Sequence, residues 1–167
     1  MTSPFSRRDF LSRMWRWGVG LVALAGAWTS WDILRSGSAS GLGGTFKTVP
    51  PDQVPEDNVL VVREARAYLT KVDGEVRALW WKCPHLGCRV PFCDSSGQFE
   101  CPCHGSAFNR AGEYRGGPAP RGLDGFGVDL VDGVVVIDTG VVITGPPPGP
   151  ETLDEPPRGP SCTETTA

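Results

Sequence analysis

Five of the six cysteines and both histidines of the chain fall between Lys82 and Phe108, four of the cysteines in two short boxes. The order is Cys83-Pro84-His85-Leu86-Gly87-Cys88, twelve residues, then Cys101-Pro102-Cys103-His104-Gly105-Ser106. As ligand spacing this is Cys-x-His, fifteen residues, Cys-x-x-His. Each half offers one thiolate and one imidazole, so the halves together make a Cys2His2 set, with Cys88 and Cys103 outside it. Donor chemistry alone admits zinc. Zinc fingers, however, usually separate paired ligands by two or more residues, whereas a Cys-Pro-His step suits a loop wrapped around a cluster. Structural disulfides are a further reading for an exported chain rich in cysteine. That reading leaves both histidines inside the cysteine boxes by coincidence.

The two boxes, Cys-x-His-x-Gly-Cys and Cys-x-Cys-His-x-Ser, resemble those of the Rieske iron–sulfur family at every fixed position. The resemblance runs from Trp80 to Arg121 and is weaker elsewhere. It implies a [2Fe–2S] cluster with Cys83 and Cys101 on one iron and His85 and His104 on the other. It also implies a disulfide between Cys88 and Cys103, a pair typical of cytochrome bc-type members and missing from ring-hydroxylating oxygenases. Ser106 matches a serine that donates to a bridging sulfide in high-potential members. Where those members carry a tyrosine, this chain has Phe108, which has no donor. The departure implies a lower potential and fits menaquinol as electron source. Gly116-Gly117-Pro118-Ala119-Pro120 is similar to the family's proline loop, so Gly117 and Pro118 are expected to cover the cluster from a third side.

The function implied is that of an electron-transfer subunit in a cytochrome bc-type complex. Its expected partners are quinol, a cytochrome b-type membrane subunit and a c-type cytochrome. His85 and His104 would meet the quinol and take its proton through their outer nitrogens. The alternatives are the small subunit of an exported molybdenum oxidase such as arsenite oxidase, and a zinc-stabilised exported binding module.

The elements that must position these residues follow from the rest of the chain. At 167 residues there is room for one domain plus attachments. The 22 glycines and 16 prolines point to loops and a tail, and a net charge of −3 implies no nucleic-acid surface. Ser6-Arg7-Arg8-Asp9-Phe10-Leu11 looks like a twin-arginine export signal within a cytoplasmic segment, residues 1–13; a plain basic flank is the alternative. Residues 14–35 are expected to form a single transmembrane helix, with Trp15 and Trp17 at one interface and Trp28 and Trp31 at the other. Cleavage after Ala25-Gly26-Ala27 is the competing reading. Retention puts the N-terminus in the cytoplasm of a bacterium or archaeon and the head outside.

Residues 36–44 read as a flexible hinge by composition. Residues 45–144 are expected to be an all-β, Rieske-type antiparallel β-sandwich head, with its cluster-binding region at 80–121. Val59–Val62 is a strand candidate. Ala67–Val72 and Val76–Trp81 flank Asp73-Gly74 as a type I′ hairpin, and Phe126–Val131 and Val134–Ile137 flank Asp132-Gly133 as a second. Val141–Ile143 adds a possible further strand. Residues 145–167 carry no periodic face and are expected to be disordered or an extended arm. Cys93 and Cys162 are expected to remain unjoined, since pairing requires the tail to fold back onto the head.

Overall fold

The computed structural model describes residues 6–35 and 43–163. They fall into two units, one up to Ser40 and one from Gly41 onward.

The first unit is a single helix, α1 (Arg7–Arg35). Ser6 starts it by accepting the Arg8 N–H on its hydroxyl at 3.2 Å, and Asp9 places a negative charge in the first turn. The expected transmembrane span is not supported: among the described residues no helix is long and apolar enough to cross a membrane. Its uncharged run, Trp17–Trp31, covers only about 22 Å at ~1.5 Å per residue, short of a ~30 Å hydrocarbon layer. Extending it brings in Arg16 and Asp32, and glycines, Ser30, Thr29 and the tryptophans dilute what lies between. The expected hinge lies almost wholly outside the described residues.

The second unit is all-β. In chain order its strands are β1 (Thr45–Lys47), β2 (Leu60–Val62), β3 (Ala67–Val72), β4 (Glu75–Trp80) and β5 (Phe92–Cys93). There follow β6 (Gln98–Glu100), β7 (Ala107–Phe108), β8 (Tyr114–Gly116), β9 (Gly125–Val131) and β10 (Val134–Ile143). They form two antiparallel sheets, ordered β1-β10-β9-β4-β3-β2 and β5-β6-β7-β8. Both Asp-Gly hairpins form in the expected registers, with Ala67 opposite Trp80 and Val134 opposite Val131. Asp73 and Gly74, like Asp132 and Gly133, adopt the positive φ that a type I′ turn demands. Val141–Ile143 is no separate strand: it continues β10 after a register shift beyond Asp138.

Period-two alternation divides the core. Ala67, Leu69 and Ala78 join Phe126, Val135 and Ile137 in one apolar cluster. Tyr68 and Leu79, one residue out of phase, turn the other way and join Val90, Phe99, Phe108 and Leu123. Cys83 and Cys101 sit in this second cluster. The hairpin β3–β4 is therefore the wall shared by the large sheet and the loops.

The tail is the largest departure from expectation. Residues 145–163 form no helix or strand, yet they are strapped to the head by polar contacts. Arg110 pairs with Glu155 at 2.6 Å and Arg115 with Glu151 at 2.6 Å. The Glu113 carboxylate accepts from the Thr152 hydroxyl and N–H and from the Leu153 N–H. Burial pushes the Glu113 carboxyl up, but these bonds and one from the Asn109 amide outweigh it and hold the group below the usual carboxylate range. Cys93 and Cys162 are joined in a disulfide, against expectation. The tail does fold back, because polar side chains buried on the head give its backbone hydrogen-bond partners that an apolar face would not.

Candidate metal centre

Strand β4 ends at Trp80, whose N–H is held by the Asp124 carbonyl at 2.7 Å, and feeds the first loop. Within it the Cys83 N–H donates to the Cys88 carbonyl at 2.7 Å and the Gly87 N–H to the Cys83 carbonyl at 2.9 Å. The second loop repeats this frame: the Cys101 N–H donates to the Ser106 carbonyl at 2.8 Å and the Gly105 N–H to the Cys101 carbonyl at 3.1 Å. Gly87 and Gly105 occupy the same place in the two frames, with φ of 83° and 72°, where a side chain would be strained. The result is two matching turns, each starting on a buried cysteine.

The loops face each other. A Cys88–Cys103 disulfide joins them, with Cα atoms 6.7 Å apart. Cys83 and Cys101 are the two free cysteines, each 2 % exposed. His85, half-buried, and His104, exposed, lie edge to face with ring centroids 4.9 Å apart. Burial pushes the Cys83 thiol up, opposed by the backbone N–H of His85; the adjacent Cys101 sulfur adds to the rise and the Ser106 hydroxyl opposes it. Two buried sulfurs side by side resist ionising together, and a bound cation is what removes that penalty. Paired buried thiols and paired imidazoles on the same two loops are therefore a donor set that fits a [2Fe–2S] cluster, with Cys83, Cys101, His85 and His104 the residues that could hold it.

The third side is the loop after β8. Gly117, at φ 89°, approaches so closely that a Cβ would lie 2.5 Å from the Ser106 Cα. The Tyr114 hydroxyl donates to the Gly117 carbonyl at 2.6 Å, and the Ala119 N–H donates to the Ser106 hydroxyl at 3.2 Å. Pro118 is exposed beside them. Phe108 is fully buried in the cluster of residues that contains both free cysteines.

Sequence reasoning missed several supporting residues. The Tyr68 hydroxyl donates to the Val90 carbonyl at 2.9 Å behind the first loop. Lys82 sits 4.8 Å over the Trp80 ring and Arg89 4.4 Å over Trp81, and Arg121 pairs with Asp124 at 2.9 Å. Only the Trp80-Trp81 pair flanked by cations offered a signal, since cations prefer aromatic faces.

The Rieske [2Fe–2S] domain family matches residues 44–127, half of the 167-residue chain. The cytochrome b6-f complex iron-sulfur subunit 2 of Cyanophora paradoxa is 44% identical over 120 residues, covering 62% of this chain and 50% of that protein. The cytochrome b6-f complex iron-sulfur subunit 1 of Synechocystis sp. is 28% identical over 151 residues, covering 80% and 84% respectively. The ubiquinol-cytochrome c reductase iron-sulfur subunit of Rhodobacter capsulatus is 54% identical over 54 residues, covering 30% and 28%. Among solved structures, the cyanobacterial plasma membrane Rieske protein PetC3 from Synechocystis is 26% identical, with a TM-score of 0.38 over 56% of this chain and 85% of that one. The chain spans half the length of the Cyanophora relative it matches. Twin Cys-His loops joined by a disulfide and a family match over half the sequence lead to one conclusion: the chain belongs to the Rieske [2Fe–2S] domain family.

Proposed function

We propose that the chain is the iron–sulfur subunit of a cytochrome bc- or b6-f-type complex, taking an electron from quinol and passing it to a c-type cytochrome. One observation carries the reading: the His85 and His104 rings pack edge to face, with His104 exposed, on twin loops that each begin at a buried, unbridged thiol. The relatives named as subunits of such complexes support it. Cys83, Cys101, His85 and His104 would hold the cluster, which when bound would supply a one-electron acceptor in the range of roughly −150 to +300 mV.

The chain's own residues do the rest. An outer imidazole nitrogen of His85 or His104 accepts the quinol hydroxyl and holds its proton. Leu86 and Pro118, on the first loop and the proline loop, are both exposed and offer apolar surface for the quinol ring. Ser106 directs its hydroxyl at the Cys83 sulfur, which favours the more negatively charged state. Phe108 offers no second donor, so the potential sits low in the range and suits menaquinol. Phe108→Tyr raises the midpoint potential; an unchanged value would remove the menaquinol assignment.

The head works on the oxidising side of the membrane, a placement that the two disulfides support, after export through the Ser6-Arg7-Arg8 signal. Purification from the native membrane tests the assignment. A b-type cytochrome partner and quinol-dependent reduction of cytochrome c are expected; a molybdenum-containing partner instead would overturn it in favour of the oxidase small subunit.

A further inference from the structure

We infer that the strap formed by residues 157–163, tied down at Cys93–Cys162, positions the second cluster loop through Glu100. Glu100 is the residue immediately before Cys101 and is buried at 6 % exposure. Its carboxylate accepts from the Ser96 hydroxyl at 2.6 Å. Among the described residues the other oxygen accepts only from the strap: the Ser161 hydroxyl at 2.8 Å, the Cys162 N–H at 2.8 Å and the Thr163 N–H at 3.3 Å. Three of its four donors among the described residues thus come from a segment more than sixty residues further along the chain, held there by a disulfide of sequence separation 69.

The strap lies close to the head. The Arg158 N–H donates to the Ser96 carbonyl at 2.9 Å, and a Cβ on Gly159 would come within 2.9 Å of the Ser95 carbonyl oxygen. Between strap and loop is a cavity of about 440 Å³, lined by Gln98, Gly105 and Ser106 on one side and Pro157, Gly159 and Ser161 on the other. The buried Gln98 Nε2 finds no partner among the described residues. Ser96, Gln98 and Glu100 therefore form a polar stripe that stays buried only while the strap covers it.

The physics gives the coupling its direction. A buried carboxylate stripped of three donors must rehydrate, and doing so pulls on the next residue, Cys101. The first loop has no such contact among the described residues and is coupled to the strap indirectly, across the Cys88–Cys103 bridge. Cys93, Cys162 and Glu100 are positioning residues, acting on the Cys101 and His104 loop without touching whatever it holds.

Hydrogen exchange on the full chain tests this without any need for quinol turnover, so its outcome is independent of the assignment to a bc-type complex. In Cys162→Ser, exchange of the Cys101 and Gly105 N–H groups is expected to accelerate about tenfold, and that of Cys83 and Gly87 far less. Glu100→Gln, which keeps the tether but places an amide among the strap's donors, accelerates the same pair. Unchanged exchange in either variant, or equal acceleration of both loops, would overturn the inference.

Discussion

The two cluster loops share a backbone frame and differ in what stands behind them. The first, Cys83 to Cys88, leans on apolar and aromatic support: Val90 is fully buried, Tyr68 holds its carbonyl, and Arg89 caps the Trp81 ring. The second, Cys101 to Ser106, has Phe99 and Phe108 on one side but polar long-range props elsewhere, namely Gly117 against Ser106 and the strap against Glu100. The frame is a local consequence of a cysteine followed four residues later by glycine. Aiming the frame is a matter of the whole fold, and each loop solves it separately.

Substitutions that strike both loops or only one test that distinction. The largest effect is expected from Cys103→Ser, which cuts the bridge common to both. Loss of a native disulfide costs roughly 2–5 kcal/mol, and the variant should unfold at lower temperature with less iron per chain; full iron retention would show that the loops do not depend on each other. Gly117→Ala is next. Its Cβ has no room beside the Ser106 backbone and its φ is strained, a cost of about 1–3 kcal/mol, and faster exchange confined to the second loop is the expected readout.

The tail segment before the strap supplies a pH test. Glu113 is held below the ordinary carboxylate range, so its contribution is complete above the unfolded glutamate value near ~4.3 and disappears as pH falls through the lower folded value. Glu113→Gln should lower stability at neutral pH by roughly 1–3 kcal/mol and flatten the acid limb of a denaturation series. An unaltered acid limb would show that Glu113 is not what pins residues 151–153. Tyr68→Phe is the mildest: one buried hydrogen bond, about 1 kcal/mol, lost behind the first loop only. Exchange at Cys83 and Gly87 should rise while the second loop is silent.

The sequence was legible where chemistry or turn geometry is local. Cys83, His85, Cys101 and His104 stood out because their types and spacing have few other uses, and the Asp73-Gly74 and Asp132-Gly133 hairpins because only one turn suits them. The strands β5 to β8 were not legible, since two or three residues give no periodicity to read. The strap was hidden for a different reason. The tail that carries it binds through Glu100, Asn109, Arg110 and Glu113, polar residues that in a linear reading belong on a wet surface. Partnership between Cys93 and Cys162 depends on that fold-back and could not be deduced from spacing. At the N-terminus the tryptophans suggested membrane interfaces, but the uncharged stretch between the flanking charges is too short.

The central claim is that two thiolates and two imidazoles on matched loops hold an iron–sulfur cluster with its histidine side accessible. Iron and sulfide analysis combined with EPR of the dithionite-reduced full chain tests it directly. The account predicts two irons and two sulfides per chain and a signal averaging well below the free-electron value, lost in His104→Ala. Zinc in place of iron, with no such signal, would contradict it.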